Sequence, residues 1–333
     1  MLRKLTTILG PVAIVCAVVV APIESAALAL APTQPAMTEP ECELPTGELT
    51  TSDLPEGSDT VACDATGRIV DVDGASLPVP EPGMGVVIEV DYSDRSESAA
   101  IEVHPDGTIS YDAPDNETIS DPDKVRDSCT DDAYNLDGGR RWYSNYAWYL
   151  GDGSRPGNMS SATTYVVLAD AVSNITNSTN PCGLTDSVTA TYSYEGATVN
   201  ESDIHTDFGT SSCDFWTDGK NVVDFGDLSD DGNPPWAATC KWYGSQAGAN
   251  HILQADVKFN VVDFDWTRDV GPTCNQQVDL ESVATHEFGH VYGLQHVDSD
   301  NHPTLTMRTG GAVCQTFKRT LGLGDVRGLR SLY

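Results

Sequence analysis

Residues 286–296 read His-Glu-Phe-Gly-His-Val-Tyr-Gly-Leu-Gln-His, and they hold three of the chain's seven histidines. If the stretch opens as a helix, His286 and His290 project from one face, about one turn apart, and can reach a single metal ion. Glu287 is offset by one residue, beside such an ion rather than at it, where a general base for water belongs. Gly293 tolerates the left-handed conformation that ends a helix, so the chain can turn there and bring His296 back as a third ligand. Three neutral imidazoles leave one tetrahedral position open, which marks a catalytic rather than a structural zinc site. The competing reading is an amphipathic helix with solvated His and Glu, its Leu280, Ala284, Phe288 and Val291 facing a core. Five positions fixed together arise by chance in on the order of one in 10⁵ chains of this length, which decides for zinc.

The rest of the chain bounds where such chemistry would operate. Among 333 residues, 50 acids face 18 bases, a net charge of −32. That balance excludes nucleic acid and anionic membrane as partners, because phosphate binders need Lys and Arg to displace counterions. Arg3 and Lys4 followed by ILGPVAIVCAVVVA and the small residues of SAALALA read as a signal peptide over 1–29, too short in its apolar part for a membrane anchor. A secreted, extracellular protein is expected, without stable membrane insertion once the signal is cleaved, and monomeric. Of nine cysteines Cys16 would leave with the signal, and the remaining eight form no close C-x-x-C pair. An even set in an exported chain implies up to four disulfides; Cys42–Cys63 and Cys274–Cys314 are the expected pairs, the others staying open.

Along the mature chain, residues 30–113 read as a β-rich region with a disordered Pro/Thr/Glu-rich start, and 114–128 as a polar linker. Residues 129–333 would form the second, larger domain. There SATTYVVLADAVSNIT has helical spacing with Ser160 or Ser161 as cap; four strands follow, in DSVTATYSYEG, KNVVDFGDL, WAATCKWY and HILQADVKFNVVDF. A second helix begins near Asp279 and a third closes the chain in GDVRGLRSLY. His104 and His302, in proline-flanked polar loops, are expected to be exposed.

HEFGHVYGLQH matches every fixed position of H-E-x-x-H-x-x-G-x-x-H, the zinc signature of the metzincin peptidases, and its local wording resembles the matrixin family. TLTMRTG offers Met307 for the methionine turn below the zinc, ILQADVKFN is similar to a strand preceding the zinc helix in bacterial members, and GLGDVRGLRSLY resembles the matrixin C-terminal helix. The resemblance covers 129–333, most closely 279–333. It implies an α+β metzincin-like fold, with a twisted, mostly parallel sheet beside the zinc helix and a C-terminal helix. It further implies one catalytic Zn²⁺ on His286, His290 and His296, Glu287 as acid/base, and Met307 and Gly293 in support. The activity implied is zinc-dependent endopeptidase cleavage of a protein or peptide substrate; the alternative is a catalytically silent protein that grips peptides or matrix.

Departures from the family pattern matter as well. Gly324 stands where matrixins often carry an acid before Asp325, so no support for the methionine turn is expected from that position. No His/Asp set for a second zinc is present, whereas the acidic run DLSDDGN at 227–233 reads equally as a structural Ca²⁺ site or as a solvated acidic turn. Matrixin proenzymes are silenced by a cysteine in a P-R-C-G-type stretch; Cys42 in PECELP and Cys63 in VACDAT do not match it. Residues 30–113 are thus either a propeptide or a retained accessory domain, with a slight lean to the second. An extended substrate would add a strand to a sheet edge, and residues 236–243 are the candidate edge.

Overall fold

The structure, a computed structural model, describes residues 42–112, 127–157, 159–228, 232–244 and 250–333. The expected signal peptide, most of the expected linker and the centre of the acidic run at 227–233 lie outside them. Residues 42–333 form one compact unit. Its N-terminal part supplies β1 (Leu49–Thr50), β2 (Ile69–Val72), β3 (Ala75–Pro78), β4 (Met84–Asp91), β5 (Ser96–Val103) and β6 (Ile109–Asp112). Then come β7 (Asn135–Leu136), β8 (Tyr146–Leu150), α1 (Ser161–Thr176), β9 (Tyr192–Ala197), β10 (Ile204–Asp207), β11 (Thr210–Cys213) and β12 (Asn221–Gly226). The chain continues through β13 (Ala237–Gly244), β14 (His251–Asn260), β15 (Trp266–Thr267), β16 (Val278–Asp279), α2 (Leu280–Val291), β17 (Leu294–Gln295) and α3 (Leu323–Leu332).

The architecture is α+β. An eight-stranded sheet runs β6-β5-β4-β13-β14-β12-β8-β9 and a five-stranded one runs β1-β2-β3-β11-β10. The four strands β14, β12, β8 and β9 are mutually parallel, and β6 to β14 pair antiparallel. Strands from before and after the expected linker therefore share both sheets. One core lies between the larger sheet and the helices: Trp148, Val223, Val257 and Phe259 meet Leu168 and Val172 of α1 and Ala284 and Phe288 of α2. A second lies between the two sheets, where Val70 and Leu77 meet Val86, Ile88, Val90, Ile101 and Trp242.

Most expected elements of the larger domain are present. Ser160 caps α1 by accepting from the Thr163 N–H, and Asp279 caps α2 by accepting from Ser282. Cysteines pair 42–63, 129–182, 213–240 and 274–314, which includes both expected pairs. The hairpin β10–β11 was not anticipated, because its Ser- and Thr-rich sequence lacks the apolar alternation of the other strands.

Two expectations are corrected. Strand β13 is no edge: over all eight residues it pairs with β4 on one side, and it pairs with β14 on the other. Its sequence is compatible with either position, since a fully apolar-buried strand differs little from an edge until its neighbour is known. His302 is buried rather than exposed, because its Nδ1 lies 2.8 Å from both carboxylate oxygens of Asp131 and is thereby satisfied inside. His104, also expected to be exposed, is half-buried, with its side chain 44% exposed. Among the described residues no helix is long and apolar enough to cross a membrane.

Phe288 is fully buried and meets the rings of Tyr146 and Trp148, each 6.3 Å away between centroids. Phe288→Ala should lower unfolding free energy by about 3–5 kcal/mol in urea titration, from lost transfer and an unfilled cavity.

Candidate metal centre

The site is built from one helix and one turn. From α2, His286 and His290 emerge on the same face, and the helix stops at Tyr292. Gly293 has φ +88°, and a Cβ there would lie 2.2 Å from the Arg140 carbonyl oxygen. Only glycine fits both the left-handed backbone and that close approach. The next two residues, β17, pair with β7, and the Asn135 amide donates to the His296 carbonyl at 2.8 Å. His296 is thereby returned to the helix face.

The three Nε2 atoms then lie 3.0–3.2 Å apart. Zinc–nitrogen bonds of about 2.0–2.1 Å at tetrahedral angles require separations near 3.3 Å, so the set fits a zinc ion. His286 Nδ1 donates to the Thr306 carbonyl at 2.7 Å and His290 Nδ1 to the Leu294 carbonyl at 3.0 Å. Those bonds fix the tautomer that leaves Nε2 free to ligate. Burial, reinforced by the Lys318 ammonium, brings His286 down to about 4, and burial holds His290 well below the ordinary imidazole value. Both rings are therefore neutral at physiological pH, which is the ligating form.

Glu287, one residue along, is fully buried. Its Oε2 accepts from the Thr239 hydroxyl on β13 at 2.6 Å, while Oε1 is buried without a hydrogen-bond partner. Burial, with the Asp91 carboxylate nearby, raises its pKa well above the usual carboxylate range. Met307 lies under the helix: a Cβ on Gly289 would stand 2.2 Å from its sulfur, so a larger residue there would displace the Met307 side chain.

Four contributors escaped the sequence reading. Asp325, the first acid of α3, accepts from the backbone N–H groups of Thr306, Met307 and Gly322 at 2.9, 3.1 and 2.7 Å. It does the holding that was not expected of position 324, where a Cβ would fall 1.8 Å from the Ala133 carbonyl oxygen. Thr239 orients Glu287. Lys318 is buried, donates to the Arg308 carbonyl at 2.9 Å, and is pushed by burial down to about 8. Asp91, at the end of β4, joins the three histidines in one group of atoms able to hold a metal. Nothing local to GMGVVIEVDYS signals this, since the approach spans some two hundred residues. An apolar recess beside His286 is walled by Trp236, Val278, Val283 and Phe317.

The matrixin family model matches residues 184–333. Over 94 residues the chain is 37% identical to metalloendoproteinase 4-MMP of Arabidopsis thaliana, covering 27% of this chain and 23% of that protein. It is 40% identical over 82 residues to stromelysin-3 of Mus musculus and 39% to that of Homo sapiens, covering 24% of this chain and 14% of each. The chain thus spans under a quarter of the length of these relatives.

Replacing Asp325 by Ala leaves three inward-facing N–H groups without their acceptor. At about 1–3 kcal/mol for each unsatisfied donor, partly relieved by relaxation, the expected loss is about 3 kcal/mol in urea unfolding. Zinc retention against a chelator should weaken by about tenfold, because the floor of the site loosens.

Proposed function

We propose that this chain, whose residues 184–333 are a matrixin domain, is a secreted zinc-dependent endopeptidase. The observation that carries the reading is the approach of three imidazole Nε2 atoms to 3.0–3.2 Å beside a buried carboxylate. His286, His290 and His296 would hold the ion, which when bound polarises the scissile carbonyl and acidifies water beside it.

The chain's own residues supply the remaining steps. Glu287 takes a proton from the attacking water and passes it to the leaving amine nitrogen. The Thr239 hydroxyl keeps Oε2 in place while Oε1 is left without a protein hydrogen-bond partner. The hydrogen bonds at Nδ1 keep two ligand rings from rotating as charge develops. Met307, held by Asp325, fixes the floor against which the helix packs. The apolar recess beside His286 is placed to receive one substrate side chain. Export accords with the signal-like N-terminus and the four disulfides.

Proteolytically processed protein from the medium of the producing cell should cleave casein, lose that activity to a zinc chelator, and regain it with added zinc. Glu287→Ala, with zinc still bound, should be slower by about 10²-fold or more, the usual contribution of a positioned acid/base. Cleavage that survives both the chelator and the substitution would falsify the reading.

A further inference from the structure

Strand β4 does two things at once. It forms a continuous antiparallel ladder with β13, from Met84 opposite Gly244 to Asp91 opposite Ala237. It also ends at the histidines. Asp91 Oδ2 lies 3.0 Å from His286 Nε2, 3.6 Å from His290 Nε2 and 3.4 Å from His296 Nε2. With the three nitrogens that oxygen completes a tetrahedron whose edges match a four-coordinate zinc. The position that a catalytic site leaves open is taken.

The alternation of β4 explains how one strand serves both purposes. Val86, Ile88 and Val90 enter the core between the sheets. Glu89 and Asp91 point the other way, and both are buried. Glu89 accepts from the Gln295 amide at 2.6 Å and from the Ser98 hydroxyl. It lies 3.4 Å from Lys241, which pairs at 2.7 Å with Asp137, itself bonded to Arg140. Two cations and two carboxylates balance in this cluster only while β4 is docked. Asp91 Oδ1 accepts from Ser96 at 2.5 Å, so the carboxylate is aimed.

We propose that β4 is an inhibitory strand: it fills the place of an extended substrate on β13, and Asp91 is the fourth zinc ligand that keeps the intact chain latent. The proposal rests on the peptidase reading above and reverses the lean towards a retained accessory domain. A carboxylate at the metal offers no scissile carbonyl and leaves no room for the attacking water, so the strand is held without being cut. The role belongs to no thiol, because all eight cysteines of the described residues are in disulfides. None of those disulfides links residues 42–112 to 129–333, so a backbone cut between the two would leave only non-covalent contacts holding β4.

The test uses the intact chain loaded with Co²⁺, whose visible spectrum reports coordination, and acetohydroxamic acid as a small metal-binding probe. The wild-type spectrum should not respond to the probe, whereas Asp91→Ala and the near-isosteric Asp91→Asn should both respond. Zinc dissociation constants from chelator competition should rise by about tenfold or more in both variants. A wild type that takes the probe as readily as the variants, with equal zinc affinity, overturns the proposal. A second arm digests the intact chain briefly with subtilisin, stops it with a serine-protease inhibitor, and follows mass and casein cleavage together. Activity should rise from background as residues 42–112 are lost, and not in Glu287→Ala; equal activity before and after loss counts against latency. If Asp91 variants admit the probe yet no form cleaves casein, the closed metal site stands and the peptidase reading falls. If no form binds metal, both fall.

Discussion

Three imidazole nitrogens have to meet at one point inside a wall of protein, and the rest of the fold is arranged to hold them there. A helix alone can present only His286 and His290. The third needs a chain reversal within six residues, and Gly293 makes that reversal where a side chain would strike the Arg140 carbonyl. Every neighbouring element then acts as a stop. Strand β7 holds β17, the Thr306 carbonyl orients His286, and Asp325 gathers the loop that carries Met307. Together these contacts orient the rings of His286 and His290 and hold the segment that carries His296.

The buried charges follow from the same convergence. Neutral imidazoles can be buried cheaply when their second nitrogen is bonded; carboxylates cannot. Yet Glu89, Asp91, Asp137, Glu287 and Asp325 are all nearly inaccessible within a few residues of the centre or of the strand beside it. Each has a counterpart: Lys241 and Arg140 for Glu89 and Asp137, backbone N–H groups for Asp325, the Thr239 hydroxyl for Glu287. For Asp91 the counterpart would be a cation held jointly with His286, His290 and His296, since the lone pairs of neutral Nε2 atoms cannot balance a carboxylate; such an ion would tie the N-terminal strands to the centre. The balance of the whole region is therefore a property of the intact chain.

Much of the centre was legible because its spacing is local. HEFGHVYGLQH brings three histidines, a carboxylate and a turn-forming glycine into eleven residues, and both the helix cap at Asp279 and the turn at Gly293 carry their own residue-type signals. The pairing of Cys274 with Cys314 was legible for the same reason, since the two flank that motif. Gly324 misled in an instructive way. A missing acid suggested weaker support, whereas the glycine is required by the Ala133 carbonyl and Asp325 alone reaches three donors. The placement of β13 was open because strand sequence reports burial and not the identity of the neighbour.

The amino-acid sequence by itself determined the residue set offered to a metal, the helical and β segments that carry it, and an even set of cysteines able to pair, because each depends on residue types and local spacing or on a simple count. Only the tertiary structure decided what closes the site. Asp91 meets His286, His290 and His296 through a strand pairing that spans the chain, and Thr239 meets Glu287 through the neighbouring strand. Such contacts are set by sheet order and register, in which a shift of one residue would turn Glu89 and Asp91 away from the three histidines and into the core between the sheets.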